Sequence, residues 1–358
     1  DEAGNQSRGV KYISLDPQGR FFVVLRTDGV IELKRWGPRD IGSAGQGRVL
    51  SATTPFEQPC STESFPFLAK PSPGPCRINH IVHAVFDPSG ETLSVVFRKF
   101  QRRQQNSNIE YEVGVYKIDY ATATRDPALE HIRSFAIRAA GEISCVATLI
   151  YRNEHTQTRY LQMAISSPNL ANPNRSKILL NNVCLDSTWG RPKEKKVPVD
   201  FTVSALAFER FYGHFAIGDA NGHVHVSPPS LCRPVSFSSS DFRRIKNLRS
   251  CCDAATANVL FRKSTVTSLA FQSELSLVIA YHDGALRVLE HSKGLSQARA
   301  LSISDALPKG LFLGGAQSLA FDSGTGHVYA ACGGIHVGAK GTETIHKNAW
   351  VIAPYALQ

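Results

Sequence analysis

The chain has 358 residues, 42% of them hydrophobic, and a formal net charge of +10. That content suffices for one large core, and no apolar run approaches the roughly 18–20 residues of a transmembrane helix. The positive charge favours acidic partners (nucleic acid, acidic or phosphorylated protein, anionic lipid) or serves solubility, without specifying a fold.

Residues 1–9 (DEAGNQSRG) read as a polar tail. It lacks Met and is no signal peptide, so further sequence is expected before Asp1. Residues 11–34, KYISLDPQGRFFVVLRTDGVIELK, hold three short β-type runs split by a D-P-x-G turn at Asp16 and a D-G turn at Asp28. Residues 37–75 are loop-rich, with four prolines in 66–75, and read as a surface excursion carrying at most an outer strand. Residues 81–99 repeat the first pattern, with Asp87-Pro88-Ser89-Gly90 at the matching turn, and 111–120 supply an outer strand. A turn at Asp126-Pro127 and another outer strand, HIRSFAI, follow.

The third copy, 142–166, is weaker: EISCVATLIY, a polar hairpin, then RYLQMAIS, with KILLNNVCL (177–185) as a further strand. The fourth, 203–226, ends in an Asn221-Gly222 turn; the fifth, 264–290, turns at Asp283-Gly284; the sixth spans 317–331. Asn and Asp tolerate left-handed backbone angles and Gly takes them freely, which is why these dipeptides mark hairpins. Residues 293–310 are expected to hold a helical turn or two. Residues 333–348 read as a Gly-rich connector, and AWVIAPYAL as a last strand that pairs near the start of the chain and closes the structure.

The recurrence is the main signal. HAVF (83–86), ALAF (205–208), SLAF (268–271) and SLAF (318–321) each precede a turn and an apolar strand. Copies begin near residues 11, 81, 142, 203, 264 and 317. That spacing exceeds the ~40–45 residues of a plain four-stranded blade, and long loops fill the difference. On these strands and on the D-P-x-G and D-G turns, the chain resembles a divergent WD-repeat β-propeller over nearly its full length. The family's Trp six residues after the turn Asp is replaced by Lys34 and Leu289, so the family's polar network inside each blade is not carried over. The resemblance implies an all-β, single-domain propeller over 10–358 with long inter-strand loops and seven blades, six of them visible. Residues 49–78 or 231–263 are the candidates for a seventh.

Three basic stretches are the candidate binding residues. Arg98, Lys99, Arg102 and Arg103 surround Phe100 in a predicted hairpin loop, a composition able to hold phosphate and stack a base. Arg191, Lys193, Lys195 and Lys196 form a second predicted loop, legible as a nuclear-import signal or a phosphate contact. Arg243, Arg244, Lys246 and Arg249 follow a Ser-rich run whose serines are plausible phosphosites. Phe242-Arg243-Arg244 resembles the F-R-R-G motif of phosphoinositide-binding propellers, with Ile245 in place of the Gly. The plainer reading of all three is solvated loop.

Among eight cysteines no C-x-x-C pair occurs, and Cys145 and Cys332 read as small core residues, which points to free thiols in a reducing compartment. No G-x-S-x-G elbow, phosphate-cradling loop or H-E-x-x-H helix is present. His80 and His83 stand three apart, with His83 expected to face the core. His223 and His225, two apart on one strand, are the one weak hint of a metal pair.

The expectation is therefore a non-enzymatic scaffold without cofactor, metal or small-molecule substrate. Its partners would be protein subunits of a nuclear assembly working on DNA or RNA, with cytoplasm as the alternative location. The competing readings are a phosphoinositide or vesicle-coat propeller at a membrane surface, and a modified-peptide reader or enzyme using the central channel.

Overall fold

The computed structural model describes residues 10–19, 21–26, 31–35, 63–64, 80–99, 109–119, 128–153, 156–169, 172–187, 193–210, 215–227, 264–273, 276–292, 295–303, 311–312, 315–321, 327–339 and 342–357. Every regular element among them is a β-strand. The first sheet is β1 (Val10–Leu15), β2 (Phe21–Arg26), β3 (Ile31–Arg35) and β4 (Glu63–Ser64), in that order. The second is β5 (His80–Phe86), β6 (Thr92–Arg98), β7 (Ile109–Asp119) and β8 (Ala128–Ala139). The third is β9 (Cys145–Arg152), β10 (Arg159–Asn169), β11 (Asn172–Cys184) and β12 (Lys193–Val199). The fourth holds β13 (Val203–Phe208), β14 (Phe215–Asp219) and β15 (Val224–Ser227). The fifth unit is β16 (Val266–Ser273), β17 (Ser276–Tyr281), β18 (Leu286–Ser292) and β19 (Leu295–Ile303). The sixth comprises β20 (Leu311–Phe312), β21 (Ala316–Phe321), β22 (Val328–Ala339) and β23 (Thr342–Leu357), and joins the fifth through pairing of β19 with β23.

The first, second, fourth and fifth units form antiparallel meanders for the reason their turns suggested. Gly19, Gly90, Gly222 and Gly284 all have positive φ, between 67° and 89°. In the D-P-x-G turns the Asp side chain then fixes the corner. Asp87 accepts bonds from the Thr92 amide and hydroxyl at 2.9 Å through Oδ1, and from the Ser89 amide at 3.0 Å and hydroxyl at 2.6 Å through Oδ2.

Setting aside the two-residue β20, the first strands of the six units, β1, β5, β9, β13, β16 and β21, touch in that order, and β21 returns to β1. The apolar side chains divide accordingly into six clusters, one per interface. Phe21, Val23 and Leu33 meet Ala84, Phe86 and Val95 between the first two sheets. Between the last and the first, Ala320, Tyr329 and Ile352 meet Ile13, Leu15 and Val24. No sheet has a core of its own. Each is stabilised by burying both faces against its neighbours, which is why the middle strands, such as TLSVVFR of β6, are apolar along their length.

Several expectations are corrected. Arg98 closes strand β6 rather than lying in a loop. Residues 193–196 begin strand β12, because Val197 and Val199 bury on alternate positions and pull the preceding lysines into the strand. Where a helical turn was expected, β19 pairs with β18 from Leu286↔Leu301 to Ser292↔Leu295. The Gly-rich connector is instead a long hairpin of β22 and β23. The last strand pairs with β22 and β19, so closure onto the first unit runs through β21, whose Ser318 hydroxyl accepts the Leu15 amide. Of 49–78, Glu63–Ser64 adds to the first sheet; 231–263 lies outside the described residues.

Candidate interaction surfaces

The two described basic residues of the first stretch, Arg98 and Lys99, are committed to their own neighbourhood. Arg98 forms an ion pair with Glu142 at 2.8 Å, and Lys99 with Glu112 at 3.4 Å. Both are surface pairs, which contribute little stability, but they hold the two cations against sheet two and the segment entering sheet three. Arg102, Arg103, Arg191, Arg243, Arg244, Lys246 and Arg249 lie outside the described residues. The lysines of the second stretch are brought together on the outermost strand of the third sheet, with Lys193 and Lys196 exposed and Lys195 half-buried. Alternation divides them: Glu194 and Lys196, paired at 3.2 Å, share one face, while Lys193 and Lys195 point to the other.

Around the axis, the six first strands enclose a cavity of about 770 Å³. Its wall is mixed, with Ser14, Ser204, Thr267 and Gln317 among apolar side chains and with the charged Glu209 and Arg210. Tyr12 and His83 meet edge to face with ring centroids 6.2 Å apart, and a His83 ring nitrogen lies 3.3 Å from the Ile143 carbonyl. His83 therefore lines the cavity instead of facing a core. Burial pushes the Cys145 thiol up to about 12, against the opposing hydrogen bonds of Ser144 and Ser166. Burial likewise raises Tyr12, with Ser14 opposing. Both shifts favour the neutral form, opposite to what activates a nucleophile.

Among the described residues six meanders are ringed about a cavity, each leaning on the next. The chain has the β-propeller fold. It is similar to U3-55K, at 13% identity over 98% of this chain and 96% of that one, with a TM-score of 0.45. Similarity to the RRP9 WD40 repeats is 13% over 99% and 96%, with a TM-score of 0.44. The sialidase of Trypanosoma rangeli superposes with a TM-score of 0.50 at 8% identity, over 97% of this chain but 55% of that one. No family model and no curated protein matches. At such identities the likeness is one of fold alone.

The histidine pair of the propeller's fourth blade has a visible role. Asp219 opens the Asn221-Gly222 turn, and its Oδ1 accepts the amides of Asn221 and His223, each at 2.8 Å. Its Oδ2 faces His223 Nδ1 at 3.1 Å and His225 Nε2 at 3.5 Å. The His225 ring stacks on Phe201, centroids 4.4 Å apart and 5° from parallel. Burial pushes the Asp219 carboxyl up, but the His225 hydrogen bond, the backbone amides and the His223 charge outweigh it and hold it below its ordinary value. The two imidazoles thus serve a buried carboxylate that organises the turn. Among the described residues no group of three His, Cys, Asp or Glu converges as a metal site. The D-x-x-x-H-x-H spacing carried this signal in the sequence.

Proposed function

We propose that this propeller is a non-catalytic platform that holds protein partners in a larger nuclear assembly, receiving acidic partners on its basic outer elements. The observation that carries the reading is the division of chemistry between inside and outside. The cavity wall is mostly apolar and hydroxyl-bearing, with His83, Glu209 and Arg210 among its lining, and its thiol and phenol are pushed toward their neutral forms, which disfavours nucleophilic work by those two groups. Cationic groups are displayed instead on an outermost blade strand, against a whole-chain charge of +10. A rigid ring whose sheets support one another presents such strands with little conformational cost on binding. Nucleic acid is the other acidic class the charge suits, through the basic stretches at 102–103 and 243–249.

The test is affinity purification from nuclear extract at two salt concentrations, with and without nuclease. A stoichiometric set of protein chains that survives nuclease supports the platform. Recovery of the propeller alone at low salt would remove it. Loss of the set on nuclease treatment, with steep salt dependence, would assign the basic elements to nucleic acid instead.

A further inference from the structure

The third blade ends in a strand whose outer edge pairs with nothing among the described residues. Strand β12 bonds to β11 from Ser176↔Val199 to Asn182↔Lys193 on its inner side. Its sequence, KEKKVPV, puts Pro198 near the far end, where a missing N–H limits further pairing. Among the described residues, 193–197 remain as a short unpaired edge.

The charge on this edge is asymmetric between its two faces. Glu194 and Lys196 neutralise one another on one side. On the other side Lys193 and Lys195 stand two residues apart, and their cross-strand neighbours are the uncharged Asn182 and Leu180. Further along the same face Val197 and Val199 are buried, against the fourth blade. That burial anchors the strand and fixes which way the lysines point.

We infer that the free edge of β12 takes an extended acidic segment of a partner protein as an added strand, with carboxylates at alternate positions beside Lys193 and Lys195. An added strand repeats the period-two alternation of its neighbour, so acidic residues at i and i+2 fall on the lysine face and register with the pair. Opposite charges placed directly across strands stabilise, whereas like charges destabilise. The same two lysines therefore repel the β12 edge of a second copy, and an exposed edge that would otherwise invite self-association becomes selective for an acidic guest. This rests on the platform reading above and names one surface and one partner chemistry for it.

The experiment uses a dye-labelled nine-residue peptide alternating Glu and Thr, with a same-composition control in which the glutamates are contiguous. Fluorescence anisotropy is read against the full chain and against Lys193→Glu/Lys195→Glu and Lys196→Glu variants, each checked for an unchanged melting profile. The alternating peptide is expected to bind at least tenfold more tightly than the control, the double variant to lose at least tenfold, and Lys196→Glu to stay within about twofold, since its face already carries the Glu194 pair. Equal binding of both peptides would overturn the inference by showing attraction to net charge alone. So would an undiminished affinity of the double variant, or an equal loss in Lys196→Glu. Partner recovery by the double variant in the nuclear extract experiment separates the two proposals: an intact partner set with lost peptide binding removes this edge and leaves the platform standing.

Discussion

The Leu15 amide donates to the Ser318 hydroxyl at 2.9 Å, across 303 positions of sequence. This bond joins the first strand of the first blade to the first strand of the last, beside a second bond from the Phe321 amide to the Pro17 carbonyl at 3.0 Å. Leu15 and Ser318 are both buried at the cavity wall, so removing the hydroxyl leaves the amide without its protein partner. Ser318→Ala is expected to cost about 1–2 kcal/mol of unfolding free energy. Urea denaturation checks this; an unchanged midpoint would mean that closure does not depend on the Leu15–Ser318 bond.

Asp87 does the equivalent work within one blade. Its carboxylate is buried and holds four donors around the second-blade turn. Asp87→Ala is expected to cost roughly 3 kcal/mol, since hydrogen bonds to a charged group are worth more than neutral ones and their donors are left unpaired. Asp87→Asn, which keeps one acceptor oxygen, should recover part of that loss. Thermal melting of the pair is the check, and equal melting points would show that charge and acceptor count are irrelevant here.

These turns were legible in the sequence because their chemistry is local: an Asp, a Pro and a Gly within four residues dictate one backbone path. The first strands were legible for a similar reason, since a short apolar run before such a turn has one place to go. The partner of Arg98 was not, because Glu142 lies 44 positions away and only the packing of blade two on blade three brings the two together. Lys193–Lys196 hid a strand because an edge strand exposes both faces, and its only periodic signal, Val197 and Val199, follows the charged residues. The long β22–β23 hairpin was masked by Gly-rich composition that ordinarily marks a connector.

Between the fourth and fifth blades the backbone approach is close. A Cβ at Gly218 would lie 2.4 Å from Val266 Cγ1 and 2.6 Å from its Cβ. Gly218→Ala is therefore expected to cost about 1–3 kcal/mol through overpacking. Val266→Ala removes the nearer methyl but not the Cβ, so the double substitution should be less destabilising than the sum of the two singles, a coupling typical of residues in contact. Chemical denaturation of the four-member cycle measures it. Strict additivity would show that the two strands separate freely to admit the methyl.

The fourth-blade turn gives the chain an acid-sensitive point. The Asp219 carboxyl is held below its ordinary value of 3.8 because its hydrogen bonds outweigh its burial. A carboxyl with a depressed folded value binds a proton less readily folded than unfolded. Its contribution to stability is then full above 3.8 and is lost as pH falls through the lower folded value. Asp219→Asn removes that proton linkage along with the charge that faces His223 and His225. The wild type is expected to be the more stable of the two at about pH 5, with the gap shrinking toward about pH 2.5. Urea midpoints at the two pH values decide the matter, and a gap that stays constant or widens on acidification would show that Asp219 is not the group whose protonation loosens this blade.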